Sequence, residues 1–97
     1  MREVFLVKRE DKGKAEDALK KDDLVSRQSI VIRECSALGF EEEGYFIILD
    51  SSKEALQKAE ELLKGLAEKY KNKEEVLAKF DEQEESAMQG FGMIVGG

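Results

Sequence analysis

The sequence has no histidine, proline or tryptophan and only one cysteine, Cys35, among its 97 residues. Without histidine, one chain cannot build a Ser-His-Asp triad, a Cys-His catalytic pair or a zinc site of the Cys/His type. A single thiol also excludes a disulfide within the chain and agrees with a reducing compartment. Several common catalytic and metal-binding arrangements are therefore excluded.

Long apolar runs and a basic stripe are also missing. The longest apolar run, residues 45–49, is too short to cross a bilayer, and residues 4–7 are too short for the apolar region of a signal peptide. The formal net charge is −6 at pH 7. Such a chain cannot neutralise several phosphates, so we expect neither nucleic acid nor a membrane as a partner. We expect a cytoplasmic protein.

The composition is rich in charge without being poor in apolar residues. Charged residues make up 39% of the chain and hydrophobic residues 41%, which predicts one folded α+β domain over residues 1–97 rather than a disordered polyelectrolyte. The acidic composition, rich in lysine and glutamate, is typical of heat-adapted proteins, in which ion-pair networks gain value with temperature. We hypothesise a thermophilic origin, which a melting temperature in the mesophilic range would contradict.

Short β-branched and aromatic segments predict three strands, at residues 4–7, 29–35 and 44–50. Between the first two, the spacing of Ala15, Ala18 and Leu19 predicts a short helix over residues 11–23. Between the second and third, glycines at both ends of the acidic segment 39–44 favour a solvated hairpin loop.

The clearest helix start is residues 51–54, Ser-Ser-Lys-Glu, where a serine hydroxyl and a glutamate three residues later can form a capping box. An apolar stripe follows at helical spacing, through Leu56, Ala59, Leu63, Leu66 and Tyr70. It continues in phase through Leu77 and Phe80, so residues 52–89 fit one helix or two. One helix would be about 57 Å long, about three times a five-residue strand, and we therefore favour a turn at residues 71–73. The alternative is an extended helix that pairs with a second chain.

The apolar residues 91–95 predict a last strand, which gives the order strand, helix, strand, strand, helix, helix, strand. This is the split β-α-β order of the ferredoxin-like plait, a two-layer α+β fold with an antiparallel sheet and helices on one face. The added helix precedes the last strand in this prediction. Because that fold hosts many unrelated functions, it predicts no activity by itself.

Both faces of the predicted sheet are apolar, because in the third strand Tyr45, Ile47 and Leu49 alternate with Phe46 and Ile48. A sheet with one face in water alternates apolar with polar residues, so something must cover the second face. We expect an identical subunit, since a self-complementary dimer is the commonest oligomer. The alternative is that the added helix wraps this face.

Three residues are candidates for contact with a ligand or a partner subunit. Tyr45 and Ile47 lie in the apolar third strand, whose faces need cover. Gly92 falls within the predicted last strand, where a glycine marks a bulge or the close approach of another backbone or ligand. Gly90, just before it, is expected to end the preceding helix as a left-handed cap.

Glu84 lies inside the predicted apolar stripe of the last helix, near Leu77 and Phe80. A carboxylate buried there would be neutral or held by a cation, for which Arg33 is the only candidate in the middle of a strand. With a raised pKa, Glu84 could act as a general acid or base. The simpler interpretation, which we favour, is that Glu84 reaches solvent or forms a structural ion pair.

Carboxylates elsewhere offer oxygen ligands for Mg²⁺ or Ca²⁺. Asp81 and Glu85 have the i, i+4 spacing that brings two carboxylates onto one helical face. No Asp-rich loop with a central glycine is present, so an EF-hand is excluded, and solvated acidic surface is the simpler interpretation. Cys35 has no histidine or second cysteine beside it, and we expect a buried packing residue rather than a nucleophile.

The sequence therefore predicts no metal and no cofactor. Apolar interface material is abundant and catalytic residue types are sparse, which favours a non-enzymatic homodimeric module that binds a protein or a small ligand. The alternative is a small enzyme with carboxylate chemistry at Glu84 and Arg33, in which Mg²⁺ could assist. The identity of a ligand, substrate or partner protein does not follow from the residues.

Overall fold

The structure is a computed structural model that describes the backbone of residues 1–96 and the side chains of residues 1–84. It is α+β, with a four-stranded antiparallel sheet and three α-helices in this part of the chain. The elements, in chain order, are β1 (Arg2–Val7), α1 (Lys12–Lys21), β2 (Ser29–Glu34), β3 (Tyr45–Asp50), α2 (Lys53–Leu62), β4 (Ala67–Lys69) and α3 (Lys73–Gly96). Single 3₁₀ turns at Arg9–Asp11, Val25–Arg27 and Cys35–Leu38 connect them.

The strands lie in the order β2-β3-β1-β4, and every neighbouring pair is antiparallel. β1 and β2 are therefore parallel to each other with β3 between them, and β3 and β4 are parallel with β1 between them. Helices α1 and α2 make these two crossovers, as the sequence predicts. β2 and β4 form the two edges of the sheet.

Helices α1 and α2 pack on one face of the sheet, which we call face A. Their buried residues include Ala15 and Leu19 from α1 and Leu56 and Ala59 from α2. On the sheet side, face A is formed by alternate residues of the central strands, namely Phe5, Val7, Ile47 and Leu49. The two alternating sets of apolar residues thus serve two different cores.

Helix α3 packs on the opposite face, face B, through Val76 and Leu77 against Val4, Phe46 and Ile48. The expectation of helices on one face only is therefore right for α1 and α2 and wrong for α3. The alternative interpretation, in which the added helix wraps the second face, is confirmed for the part of this face that these residues occupy. An identical subunit is not needed there.

The last strand lies elsewhere than predicted. It is Ala67–Lys69, and it precedes the added helix instead of following it. Helix α2 ends at Leu62, and Gly65 then adopts a left-handed conformation with φ of 80°, which a continuing helix cannot contain. The short strand forms because the free edge of β1 offers its backbone groups for pairing, which composition alone does not show.

The predicted strand at 91–95 is wrong, because helix α3 continues to Gly96. Two helices are present rather than one, as favoured, and a turn at residues 71–72 directly precedes α3. The first of them is shorter than predicted, because it ends at Leu62 and leaves Leu66 and Tyr70 of the predicted stripe outside the helix. The serine cap of α2 is also present: the Ser52 hydroxyl oxygen accepts a hydrogen bond of 3.2 Å from the amide of Ala55. A capping box with Glu54 would require Ser51 as the cap, so the observed cap lies one residue later than predicted. No helix in the described part of the chain is long and apolar enough to cross a bilayer.

Candidate functional site

Arg33 and Glu84 lie together in the structure, as the sequence analysis proposed. The guanidinium Nη2 of Arg33 is 3.3 Å from Glu84 Oε1, which joins strand β2 to helix α3. The two side chains remain 41% and 49% exposed. Glu84 is therefore not the buried carboxylate of the catalytic hypothesis, because the helix turns it towards solvent at the rim of face B.

The Arg33 guanidinium also lies against an aromatic ring, with its central carbon 5.5 Å from the centroid of Phe80. An exposed cation over a ring of this kind contributes modestly to stability. Together the ion pair and the ring contact connect the middle of α3 to β2. This arrangement has the geometry of the structural ion pair that the sequence analysis favoured.

Asp81, one of the two metal-ligand candidates, is paired with a cation instead. Both its carboxylate oxygens accept hydrogen bonds from Arg2, at 2.8 and 3.1 Å. This contact lowers the pKa of Asp81 and raises that of Arg2, mainly through the hydrogen bond. The side chain of Glu85, the other candidate, lies outside the described residues. Within the described part of the chain no group of three or more carboxylates or thiols could hold a metal ion.

Cys35 is fully buried at the end of β2, among the residues of face B. Burial raises the pKa of its thiol to about 11, and the carboxylates of Glu42 and Glu34 add to this. The thiol is therefore protonated at neutral pH, which is the opposite of an activated nucleophile. The prediction that Cys35 is a buried residue is confirmed.

The predicted contact residues lie in different environments. Ile47 is 1% exposed and is buried in the core beneath α1 and α2, so it is a core residue and not a surface one. Tyr45 is half-buried at the end of β3, where the charged ends of Arg9 and Lys12 lie 5.7 and 5.4 Å from its ring centroid. The backbone at Gly92 is helical, so the strand that motivated its selection is absent, and its surroundings lie outside the described residues.

Among the clefts of this structure, two are lined by described residues that do not include Arg33 or Glu84. The larger, of about 970 Å³, lies where the end of β1 meets the turn after α2, and carboxylates outnumber cations in its lining. The smaller, of about 450 Å³, contains Lys71 and the nearly buried carboxylate of Glu3. That carboxylate is 3.5 Å from Lys73 Nζ and 4.0 Å from Lys69 Nζ, so its charge is already balanced.

The β2 edge, meaning the free side of residues Ser29–Glu34, was not recognised from the sequence. β2 pairs with β3 alone in the described part of the chain. The amide of Cys35 donates to the carbonyl of Gly44 at 3.0 Å, which fixes the alternation of the ladder. Residues 29, 31 and 33 therefore direct their backbone groups to β3. The N–H and C=O groups of Ile30, Ile32 and Glu34 point outwards.

Its side chains make the β2 edge suited to pairing. Ile30, Val31 and Ile32 are all β-branched and all half-buried, with Ile30 and Ile32 on face A and Val31 on face B. The two charged residues of this strand are paired within their own chain, Arg33 with Glu84 and Glu34 with Arg9 at 3.4 Å. The topology could have revealed this edge, because the split β-α-β order puts β2 outermost.

The opposite edge differs in length and in charge. β4 has three residues, of which Glu68 and Lys69 are exposed and charged. A very short, charged edge is a common protection against unwanted strand pairing. The β2 edge, with six residues, no proline and no lysine, lacks this protection.

Comparison with known protein families, with curated proteins and with solved structures finds no match to this chain.

Proposed function

We propose that this chain is a non-enzymatic interaction module that acts as a homodimer, with the second copy joined at the β2 edge. The observation that carries the proposal is the row of outward-pointing backbone groups on a six-residue, β-branched edge strand. Such a row is a template for the addition of another strand, and the hydrogen bonds that form supply the affinity. The clefts and ion pairs described above offer no comparable chemistry for catalysis.

The length of α3 supports the same proposal. The helix crosses face B from β1, where Val76 packs near Val4, towards β2, where Glu84 reaches Arg33. It continues beyond Glu84 to Gly96, and the sequence after Glu85 carries no charged residue. At 1.5 Å per residue α3 is about 36 Å long, whereas four strands 4.8 Å apart are about 19 Å wide. The helix is therefore longer than its own sheet is wide, and it extends towards the side of β2 on which a second copy would lie.

We also propose that the fold belongs to the ferredoxin-like class. The order β2-β3-β1-β4, with each helical crossover enclosing one strand, supports it. Two features depart from the simplest form of that class: β4 has only three residues, and α3 occupies face B. In a plait of this kind β2 remains an edge strand, and so remains free for pairing.

The enzyme alternative has less support. A general acid or base needs a carboxylate that is desolvated and close to space for a substrate. Glu84 is half exposed and already paired with Arg33, and the two clefts described above do not include it. In this proposal the ion pair of Glu84 with Arg33 is one of the contacts between α3 and β2, and it adds to the apolar packing of the helix.

Solution mass tests the proposed dimer. We expect light scattering or sedimentation equilibrium to give twice the mass of one chain for the wild type. Ile32→Pro removes an N–H that points away from β3, so the strand keeps its internal ladder and the variant should be monomeric. Ile32→Ala is the matched control, because it removes the side chain but keeps the N–H. The dissociation constant of the Ile32→Ala dimer should be at least about tenfold lower than that of any dimer which Ile32→Pro still forms. This ratio corresponds to about 1.4 kcal/mol of association free energy.

Circular dichroism should show that both variants keep the helix and strand content of the wild type. The proposed dimer would be overturned if the wild type has the mass of one chain at every concentration up to about 1 mM. At that concentration even an association free energy of about −4 kcal/mol would be detected. A folded Ile32→Pro variant that stays as dimeric as Ile32→Ala would overturn the role of the β2 edge.

A further inference from the structure

The proposed dimer can pair its two β2 strands in only a few ways, and the structure distinguishes between them. A two-fold axis between identical edge strands gives antiparallel pairing, in which directly opposite residues lie on the same face of the sheet. Only a register that places face A residues opposite face A residues, and face B opposite face B, continues the sheet. A pairing shifted by one residue would place residues whose N–H and C=O groups point to β3 opposite residues whose groups point outwards. Such a pairing is therefore excluded.

We infer that the two-fold axis passes through Val31, so that β2 pairs with β2 of a second copy to form one continuous eight-stranded sheet. This inference rests on the proposed function and specifies its geometry. In this register Val31 faces Val31 of the partner copy on face B. Ile30 faces Ile32 of the partner copy on face A, and the symmetry-related pair repeats this contact.

The backbone pattern agrees with this register. Ile30 and Ile32 are the residues whose N–H and C=O groups point outwards, so each Ile30–Ile32 pair between copies exchanges both backbone hydrogen bonds. The carbonyl of Ile32 already accepts a 3.4 Å hydrogen bond from Nη1 of Arg33, and its second lone pair is available to the partner strand. Val31 then forms the closer, non-hydrogen-bonded pair at the axis.

The side chains favour this register over its neighbours. Centring the axis on Val31 places apolar β-branched residues opposite one another at all three central positions, and Ser29 opposite Arg33 at the ends. Centring it on Ile32 places Val31 opposite Arg33 and Ile30 opposite Glu34, so two apolar residues face charges. Centring it on Ile30 places Val31 opposite Ser29 and Ile32 opposite Gln28. Cross-strand pairs of β-branched residues are stabilising, which favours the first arrangement.

A cysteine at the axis tests the register directly. Residues opposite each other in a non-hydrogen-bonded pair have Cα atoms about 4.5 Å apart, which is within the range that a disulfide spans. We therefore expect Val31→Cys to form a disulfide-linked dimer under mild oxidation, visible by non-reducing electrophoresis. Ser29→Cys is the matched control on the same face. Its two copies would lie about 13 Å apart along the strands, too far for a bridge.

The wild type supplies the background, because its Cys35 is buried. Ile32→Cys should link less than Val31→Cys in this register. A dimer by mass in which Ile32→Cys links and Val31→Cys does not would overturn the register and leave the proposed function standing. A monomer by mass would overturn both.

A pair of charged variants gives a second, independent test. Lysine at position 31 in both copies, or glutamate in both, places like charges directly opposite each other, so Val31→Lys and Val31→Glu should each be monomeric. Mixed, they should form a one-to-one heterodimer, because the opposite charges then face each other. Two folded variants that remain monomeric when mixed, or that each dimerise as tightly as the wild type, would overturn the register.

Discussion

The hydroxyl of Tyr70 donates a hydrogen bond to Oε2 of Glu42, which joins the residue after β4 to the loop between β2 and β3. The ring of Tyr70 also packs edge-on against Phe46 at 4.8 Å and Phe40 at 6.1 Å between centroids. The acidic loop 39–44 therefore contacts the sheet through Tyr70. Glu41 and Glu43 are exposed, as the composition predicted, whereas Glu42 is half-buried and accepts this bond.

Removal of the hydroxyl should destabilise the protein through this bond alone. Tyr70→Phe keeps the ring contacts, so we expect a loss of about 1.5–3 kcal/mol of unfolding free energy, the usual size for a hydrogen bond to a charged group. Urea denaturation of Tyr70→Phe, Glu42→Ala and the double variant should give a coupling energy of about 1 kcal/mol. Additive effects of the two substitutions would contradict a direct bond.

The same contact makes stability depend on pH in the alkaline range. The hydrogen bond to Glu42, with burial, raises the pKa of Tyr70 from 10 to about 12. Because the folded-state pKa is raised, the stabilisation is fully present below pH about 10 and is lost as the pH rises towards about 12. The stability difference between the wild type and Tyr70→Phe should therefore shrink across this window. A difference that stays constant from pH 8 to pH 12 would exclude the linkage.

The sheet and the helices of face A follow from local patterns in the sequence. Strands β1, β2 and β3 are β-branched runs, and the stripe of α2 has helical spacing, so propensity and packing agree there. Strand β4 could not be predicted in this way. Its residues Ala67, Glu68 and Lys69 have low strand propensity and pair because β1 presents an open edge.

The candidate site was only partly predictable for the same reason. The proximity of Arg33 and Glu84 followed from charge and topology, but their exposure depends on how α3 lies across face B, which the helical periodicity does not determine. The β2 edge has no sequence motif, because it consists of backbone groups. It becomes visible only when the strand order is known.

Gly44 should tolerate substitution far less than Gly65, although both have positive φ. At Gly65, with φ of 80°, an added Cβ meets nothing, so Gly65→Ala should cost about 1 kcal/mol of backbone strain. At Gly44, with φ of 111°, the Cβ would collide with the carbonyl oxygen of Val7, and we expect a loss of about 3 kcal/mol or more. Thermal denaturation of the two variants measures the difference. Equal losses would mean that the chain at Gly44 moves freely away from β1.

The ion pairs between α3 and the sheet should contribute less than the apolar contacts. Both Arg33–Glu84 and Arg2–Asp81 are solvent-exposed, so Glu84→Gln should lower the unfolding free energy by at most about 1 kcal/mol. Added salt should reduce this effect further by screening. Urea denaturation at low and high salt provides the measurement. A loss several times larger would indicate that Glu84 has a buried role that its exposure does not show.

Docking of α3 can be measured with a probe that the chain already contains. Cys35 is shielded in the core of face B with Leu77 of α3, and its raised pKa further slows reaction with a disulfide reagent at pH 8. Leu77→Ala should cost about 2 kcal/mol and increase labelling of Cys35 by roughly tenfold or more, because α3 opens more often. Lys79→Ala, an exposed change on the same helix, is the control and should leave the rate unchanged. An unchanged rate in Leu77→Ala would mean that the thiol becomes accessible by a route other than opening of α3.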